Sequence, residues 1–171
     1  AQRLLDRGAM IVAPDVFLTG AAAGVRPRVR NEEIFPPFFY GYNPAPLAER
    51  ARDLLATVAF ARARRAGDVH LLAYGRAGVW GLVARALAGP AIARPSLDLA
   101  GFDFDEIRDP FDPMMLPGAR KYGGLSGLLA LCTTGQTEVY GPGPVRVQRS
   151  GVMFRDAPAD SVRMAAWLSG S

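Results

Sequence analysis

Twenty residues, Asp68 to Leu87, constrain the chain more than any others: DVHLLAYGRAGVWGLVARAL. Val69, Leu71, Leu72 and Ala73 make an apolar run of strand length, and Gly75 to Gly78 make a turn tolerant of unusual backbone angles. Val79, Leu82, Val83, Ala86 and Leu87 then recur at helical spacing. The pattern is strand, tight turn, helix. In an open parallel sheet, ligands and nucleophiles sit at the carboxyl ends of strands, so any chemistry is expected at Tyr74 to Gly78.

Two functional motifs share that geometry. A dinucleotide-binding turn uses three glycines to bring the backbone close to a pyrophosphate, with an acidic residue about twenty positions on. Its places here are Ala73, Gly75 and Gly78, followed by Asp98, so one glycine is already an alanine. A nucleophile elbow, G-x-S-x-G, needs small residues around a serine held in a strained turn. Laid on this turn, the serine place falls on Gly75, which leaves a degenerate elbow at Gly75, Arg76, Ala77 and Gly78. The third possibility is packing alone, with glycines that let a helix approach a strand.

The rest of the chain fits one domain over residues 1–171, half of them hydrophobic. No apolar run reaches the length of a membrane span. Cys132 is the only cysteine, which excludes an internal disulfide and a thiol pair for zinc. The net charge of +4 comes from scattered arginines, grouped only at Arg26-Arg28-Arg30 and Arg62-Arg64-Arg65, without interleaved aromatics. Nucleic-acid binding is therefore not expected.

In order, Leu4, Leu5 and Gly8 suggest a helix end, and Ala9 to Ala13 a buried strand. Val16 to Pro46 reads as a long loop whose Phe35, Phe38, Phe39, Tyr40 and Tyr42 need a surface, either their own core or a partner. Pro46 opens a helix with an apolar stripe of Leu47, Ala51, Leu54, Leu55, Val58 and Ala59, while Glu49, Arg50, Arg52 and Asp53 face water. Leu97 to Phe102 reads as the next parallel strand. The acidic loop from Asp103 to Asp112 has Ile107 and Arg108 where a calcium loop wants a ligand and a glycine, so it is expected to be solvated. Leu125 to Leu131 reads as a short helix and Thr137 to Tyr140 as a strand. Val145 to Gln148 with Val152 to Phe154 suggest a hairpin or short strands, and Asp156 and Pro158 start a last helix running through Val162, Ala165, Ala166 and Leu168. The fold class is α/β, a mostly parallel sheet with helices on both faces.

The order of MIVAPDV, LAERARDLLATVAFA, DVHLLAYGRAG, SLDLAGFDF and DPMMLPGARKYGGLSGLLALCTTGQTEVYG resembles the carboxyl-terminal half of α/β-hydrolases, particularly bacterial proteins similar to acetyl xylan esterases. The resemblance covers nearly all of the chain. It implies a partial α/β-hydrolase fold, ester hydrolysis by a serine, an acid and a histidine, and a secreted or periplasmic location. It also implies that each catalytic place is vacant. The serine place is Gly75, the acid place is Gly141-Pro142-Gly143, and the histidine place is Arg155-Asp156-Ala157. His70, the only histidine, lies in the strand run with an expected structural role, and Ser96, Ser126, Ser150 and Ser161 lack an elbow. Cys132 reads as a core or interface thiol.

The family's first strands and oxyanion-hole segment would precede MIVAPDV. A sheet beginning there is expected to leave a raw edge, to be covered by a missing amino-terminal half, another protein chain or a second copy in a homo-oligomer. No catalytic residue, cofactor or metal is assigned. The expected function is a catalytically silent hydrolase-like domain with a structural, oligomerisation or ligand-binding role in a larger protein. The alternatives are an ester hydrolase whose catalytic residues lie outside this segment, and a dinucleotide-binding unit built on Gly75, Gly78 and Asp98.

Overall fold

A computed structural model describes residues 2–24, 36–65, 67–143, 145, 147 and 149–168. Arg26, Arg28, Arg30, Phe35 and Gln148 lie outside them. Four strands, β1 (His70–Ala73), β2 (Arg94–Asp98), β3 (Thr137–Tyr140) and β4 (Val152–Arg155), form one sheet in the order β1-β2-β3-β4, every pair parallel. The helices are α1 (Gln2–Leu5), α2 (Pro36–Tyr42), α3 (Pro46–Arg64), α4 (Arg76–Ala88), α5 (Gly124–Ala130) and α6 (Ser161–Leu168). This is an α/β arrangement. No helix among the described residues is long and apolar enough to cross a membrane.

The register divides the sheet into two unlike faces, because successive side chains on a strand point to opposite sides. Leu71, Ala73, Leu97, Val139, Val152 and Phe154 belong to one hydrophobic core with Val79, Leu82 and Leu129. That face carries α4, which approaches closely because Gly81 puts only a hydrogen toward Ala73 and Leu97. α3 lies on α4. The other face presents Arg94, Ser96, Asp98, Glu138, Tyr140 and Arg155 in register. On this polar face α6 packs against β1 and β2 and buries Met164. Arg94 donates to the Trp167 carbonyl (3.2 Å) and stacks on its ring.

Pro46 starts α3 at the position where a missing N–H costs nothing, and Gly89, at φ 53°, ends α4. Arg85 in α4 is 1% exposed, donating to the Gly89 and Thr134 carbonyls and to Thr137 Oγ1 (3.4 Å).

Several expectations are corrected. Ala9 to Ala13 forms no strand, and Met10, Ile11 and Val12 are about 40% exposed, because a strand exists only against a partner and this segment lies in no ladder. β1 is thus an edge strand, with His70 and Leu72 exposed. The long loop contains α2, where Phe39 and Tyr40 pack on Phe111 and the Tyr40 hydroxyl donates to the Pro110 carbonyl (2.6 Å). Glu49 and Arg50 are buried, not water-facing. Segment 15–19 crosses α3 there: Arg50 donates to the Phe17 carbonyl (3.0 Å) and stacks on Trp80, and the Phe17 N–H donates to Asp53 (2.8 Å). The strand expected at Leu97 to Phe102 begins at Arg94 and stops at Asp98, because Ala100 and Gly101 turn the chain away at positive φ. Val152 to Arg155 forms one of the expected short strands, paired parallel to β3, and the last helix starts at Ser161, not at Asp156 or Pro158.

Candidate functional site at the strand ends

The turn after β1 has an unusual backbone. Gly75 lies at φ 62°, ψ −136°, a combination that a side chain strains, and it caps α4. A Cβ there would meet nothing within 4 Å, so the turn aims at open space. Arg76, Ala77 and Gly78, expected in the turn, form the first turn of α4 instead, and the Gly78 N–H donates to the Gly75 carbonyl (2.9 Å). A Cβ on Gly78 would lie 1.8 Å from the Asp98 carbonyl oxygen, so only glycine permits this approach of α4 to β2.

Asp98 ends β2 and holds the turn in place. Its Oδ2 accepts from the Gly75 N–H (3.1 Å) and its Oδ1 from the Ala100 N–H (2.9 Å). Asp98 is 8% exposed. Both oxygens serve the backbone of neighbouring turns, a different task from the ribose contact of a dinucleotide site.

Beside this turn opens a cleft of about 550 Å³ lined by Tyr74, Asp98, Gly141, Pro142, Arg155 and Asp156, with 157–159 closing one side. The Tyr74 hydroxyl reaches the Ala159 carbonyl (3.4 Å). The acid place (Gly141-Pro142) and the histidine place (Arg155-Asp156-Ala157) therefore border one cleft, next to the residue that precedes Gly75. Among the described residues, the cleft wall carries no serine, threonine, cysteine or histidine.

His70 stands at the opposite, amino end of β1. Its imidazole is held below its ordinary pKa by partial burial, with Arg94 adding to the shift and Asp68 opposing it. Ser96 is fully buried and donates to Glu138 Oε2 (2.7 Å); Ser126 lies in α5, Ser150 in an exposed turn and Ser161 at the start of α6. Cys132 is buried, as expected for a core thiol, and its Sγ faces the Leu128 carbonyl (3.7 Å). Burial pushes that thiol up, against the pull of Arg85 and Arg149, which keeps it protonated and unreactive.

In the acidic loop, Asp103, Asp109 and Asp112 accept from the backbone N–H groups of Asp105, Phe111 and Met114 (2.9, 2.8 and 2.7 Å), and Asp105 pairs with Arg120 (2.7 Å). Among the described residues no three His, Cys, Asp or Glu side chains form a group that could hold a metal ion. Comparison with protein-family models, curated proteins and solved structures returned no match.

Sequence reasoning missed one constellation. Glu138, 2% exposed on β3, accepts from Ser96 and from Arg155 Nε (2.8 Å). The signal was a carboxylate inside an otherwise strand-forming TEVY run, a local violation that buried pairing alone makes tolerable.

Proposed function

We propose that this chain is a catalytically silent domain of the α/β-hydrolase kind, serving structure, oligomerisation or ligand binding in a larger protein. One observation carries the proposal: the strand–turn–helix keeps an elbow-like backbone at Gly75, with open space in front of it, and has no side chain to attack a carbonyl. The in-order parallel sheet and the shared cleft beside the turn support the same reading. The imidazole of His70, at the far end of β1, has no access to that turn.

The test is covalent labelling with a fluorophosphonate serine-hydrolase probe followed by intact-mass measurement. The wild-type chain is expected to carry no adduct and to leave p-nitrophenyl acetate unhydrolysed. Gly75→Ser, which has room for its hydroxyl, is also expected to be inactive because no base faces it. Hydrolysis by that single variant would reveal a base elsewhere in the chain and overturn the proposal. An adduct appearing only in a longer form of the protein would instead favour an ester hydrolase whose catalytic residues lie outside this segment. A dinucleotide site requires NAD or FAD to raise the melting temperature, since a ligand bound only by the native state must stabilise it; with Asp98 committed to the turn, no shift is expected.

A further inference from the structure

The polar face of the sheet is only half covered. α6 packs on β1 and β2, and beyond it, over β3 and β4, lies a second, open hollow of about 490 Å³. Its wall includes Glu138, Tyr140, Arg155, Asp156, Arg163 and Trp167.

The charges on that wall are unevenly committed. Glu138 is spent: Ser96 donates to one oxygen and Arg155 Nε to the other. Removing a carboxylate from water costs several kcal/mol before pairing, on the order of what an apolar residue at the same strand position would avoid. The return is a fixed guanidinium. Glu138, itself fastened from behind by Ser96, grips Arg155 by Nε alone. The two Nη groups on the other edge have no hydrogen-bond partner among the described residues, and the side chain is 44% exposed. Arg163, from α6, has no ion pair among the described residues. Both arginines act electrostatically on the Tyr140 hydroxyl, which places their charge around the same hollow. The indole N–H of Trp167, on the same wall, is buried without an acceptor among the described residues. Asp156 is the one carboxylate not bound to these donors, and it stands where this hollow meets the strand-end cleft.

We propose that the hollow between α6 and the β3–β4 face binds a small organic carboxylate, its head between Arg155 and Arg163 and its apolar body against Trp167 and Ala166. A carboxylate matches the free edge of a guanidinium with two parallel hydrogen bonds. The hollow is larger than the head of such an anion requires, which leaves room for an organic body. This site is separate from the turn at Gly75 and stands whether or not that turn is silent.

The test uses benzoate as the probe and benzamide as its neutral counterpart, followed through the indole N–H resonances of Trp80 and Trp167, with Trp167→Phe supplying the assignment. Benzoate is expected to move the Trp167 signal saturably and to leave Trp80 unmoved, and benzamide to move neither. Arg163→Gln, a change on an exposed helix position, should keep the spectrum of the fold and weaken benzoate about tenfold, the loss of roughly one charge-assisted contact. Glu138→Met, which keeps the volume and removes both acceptor oxygens, should release Arg155 and weaken benzoate as well; Arg155→Lys should not replace the forked contact. No saturable shift, an equal response to benzamide, or unchanged affinity in Arg163→Gln would each overturn the proposal.

Discussion

Two glycines three residues apart are needed for different reasons, and substitution should separate them. At Gly75 the space is free and the backbone angles are the obstacle; at Gly78 the angles are helical and the space is gone. Gly75→Ser should therefore fold, at a cost of about 1–3 kcal/mol for a side chain in a sparsely populated conformation. Gly78→Ala should be worse than its single methyl suggests, about 3 kcal/mol or more, because the obstruction is the Asp98 carbonyl and backbone cannot swing aside. Urea midpoints of the two variants, measured side by side, check the order; a Gly78→Ala midpoint equal to wild type would mean that α4 slides away from β2 without loss. The spacing of small residues announced a turn over Gly75 to Gly78, which the structure confines to the junction at Gly75, with Arg76 to Gly78 already helical. Which glycine was short of room was not legible, because that depends on where β2 ends, and β2 ended four residues earlier than its apolar pattern suggested.

At the scale of elements, punctuation was the most legible signal. Pro46 opens α3 as expected, and β3 lies where the sequence placed it. What could not be read were features made by two elements at once. MIVAPDV has the composition of a strand and no ladder, while Glu49 and Arg50 have the composition of a surface and are buried, Arg50 against the Phe17 carbonyl. Arg85 is the clearest case, an arginine on the buried side of α4 that ties the helix end to the loop before β3. Arg85→Met keeps most of the stem and strands the Gly89 and Thr134 carbonyls, so a loss of about 2–4 kcal/mol is expected from unsatisfied buried acceptors. Thermal unfolding would read it. An unchanged melting temperature would mean that water takes over both carbonyls.

For the whole molecule, the single histidine makes acid behaviour simple to interpret. His70 binds its proton less readily in the fold than in the open chain, chiefly through burial. Its contribution to stability is therefore complete above the unfolded value of about 6.5 and is lost as pH falls through its lower folded value. The slope should be shallow, since the ring is partly exposed, and His70→Gln should flatten it; urea midpoints at about pH 7 and pH 5 decide. Cys132 works at the other end: its raised thiol pKa adds stability that is lost as pH rises above the ordinary thiol range. The in-order sheet has one more consequence, for how the chain finds its shape. Connection 99–136, between β2 and β3, is nearly twice the length of connection 74–93, between β1 and β2. Doubling a loop costs only about 0.6 kcal/mol in closure entropy, too little to set the order of events. Burial decides instead, and α4 packs on both β1 and β2 across the shorter connection. We expect β1, α4 and β2 to form first, with the Gly75 turn as their joint, so that turn would serve folding speed even where no reaction depends on it; φ-values at Leu82 and Leu97 no higher than those in β4 would sink that expectation.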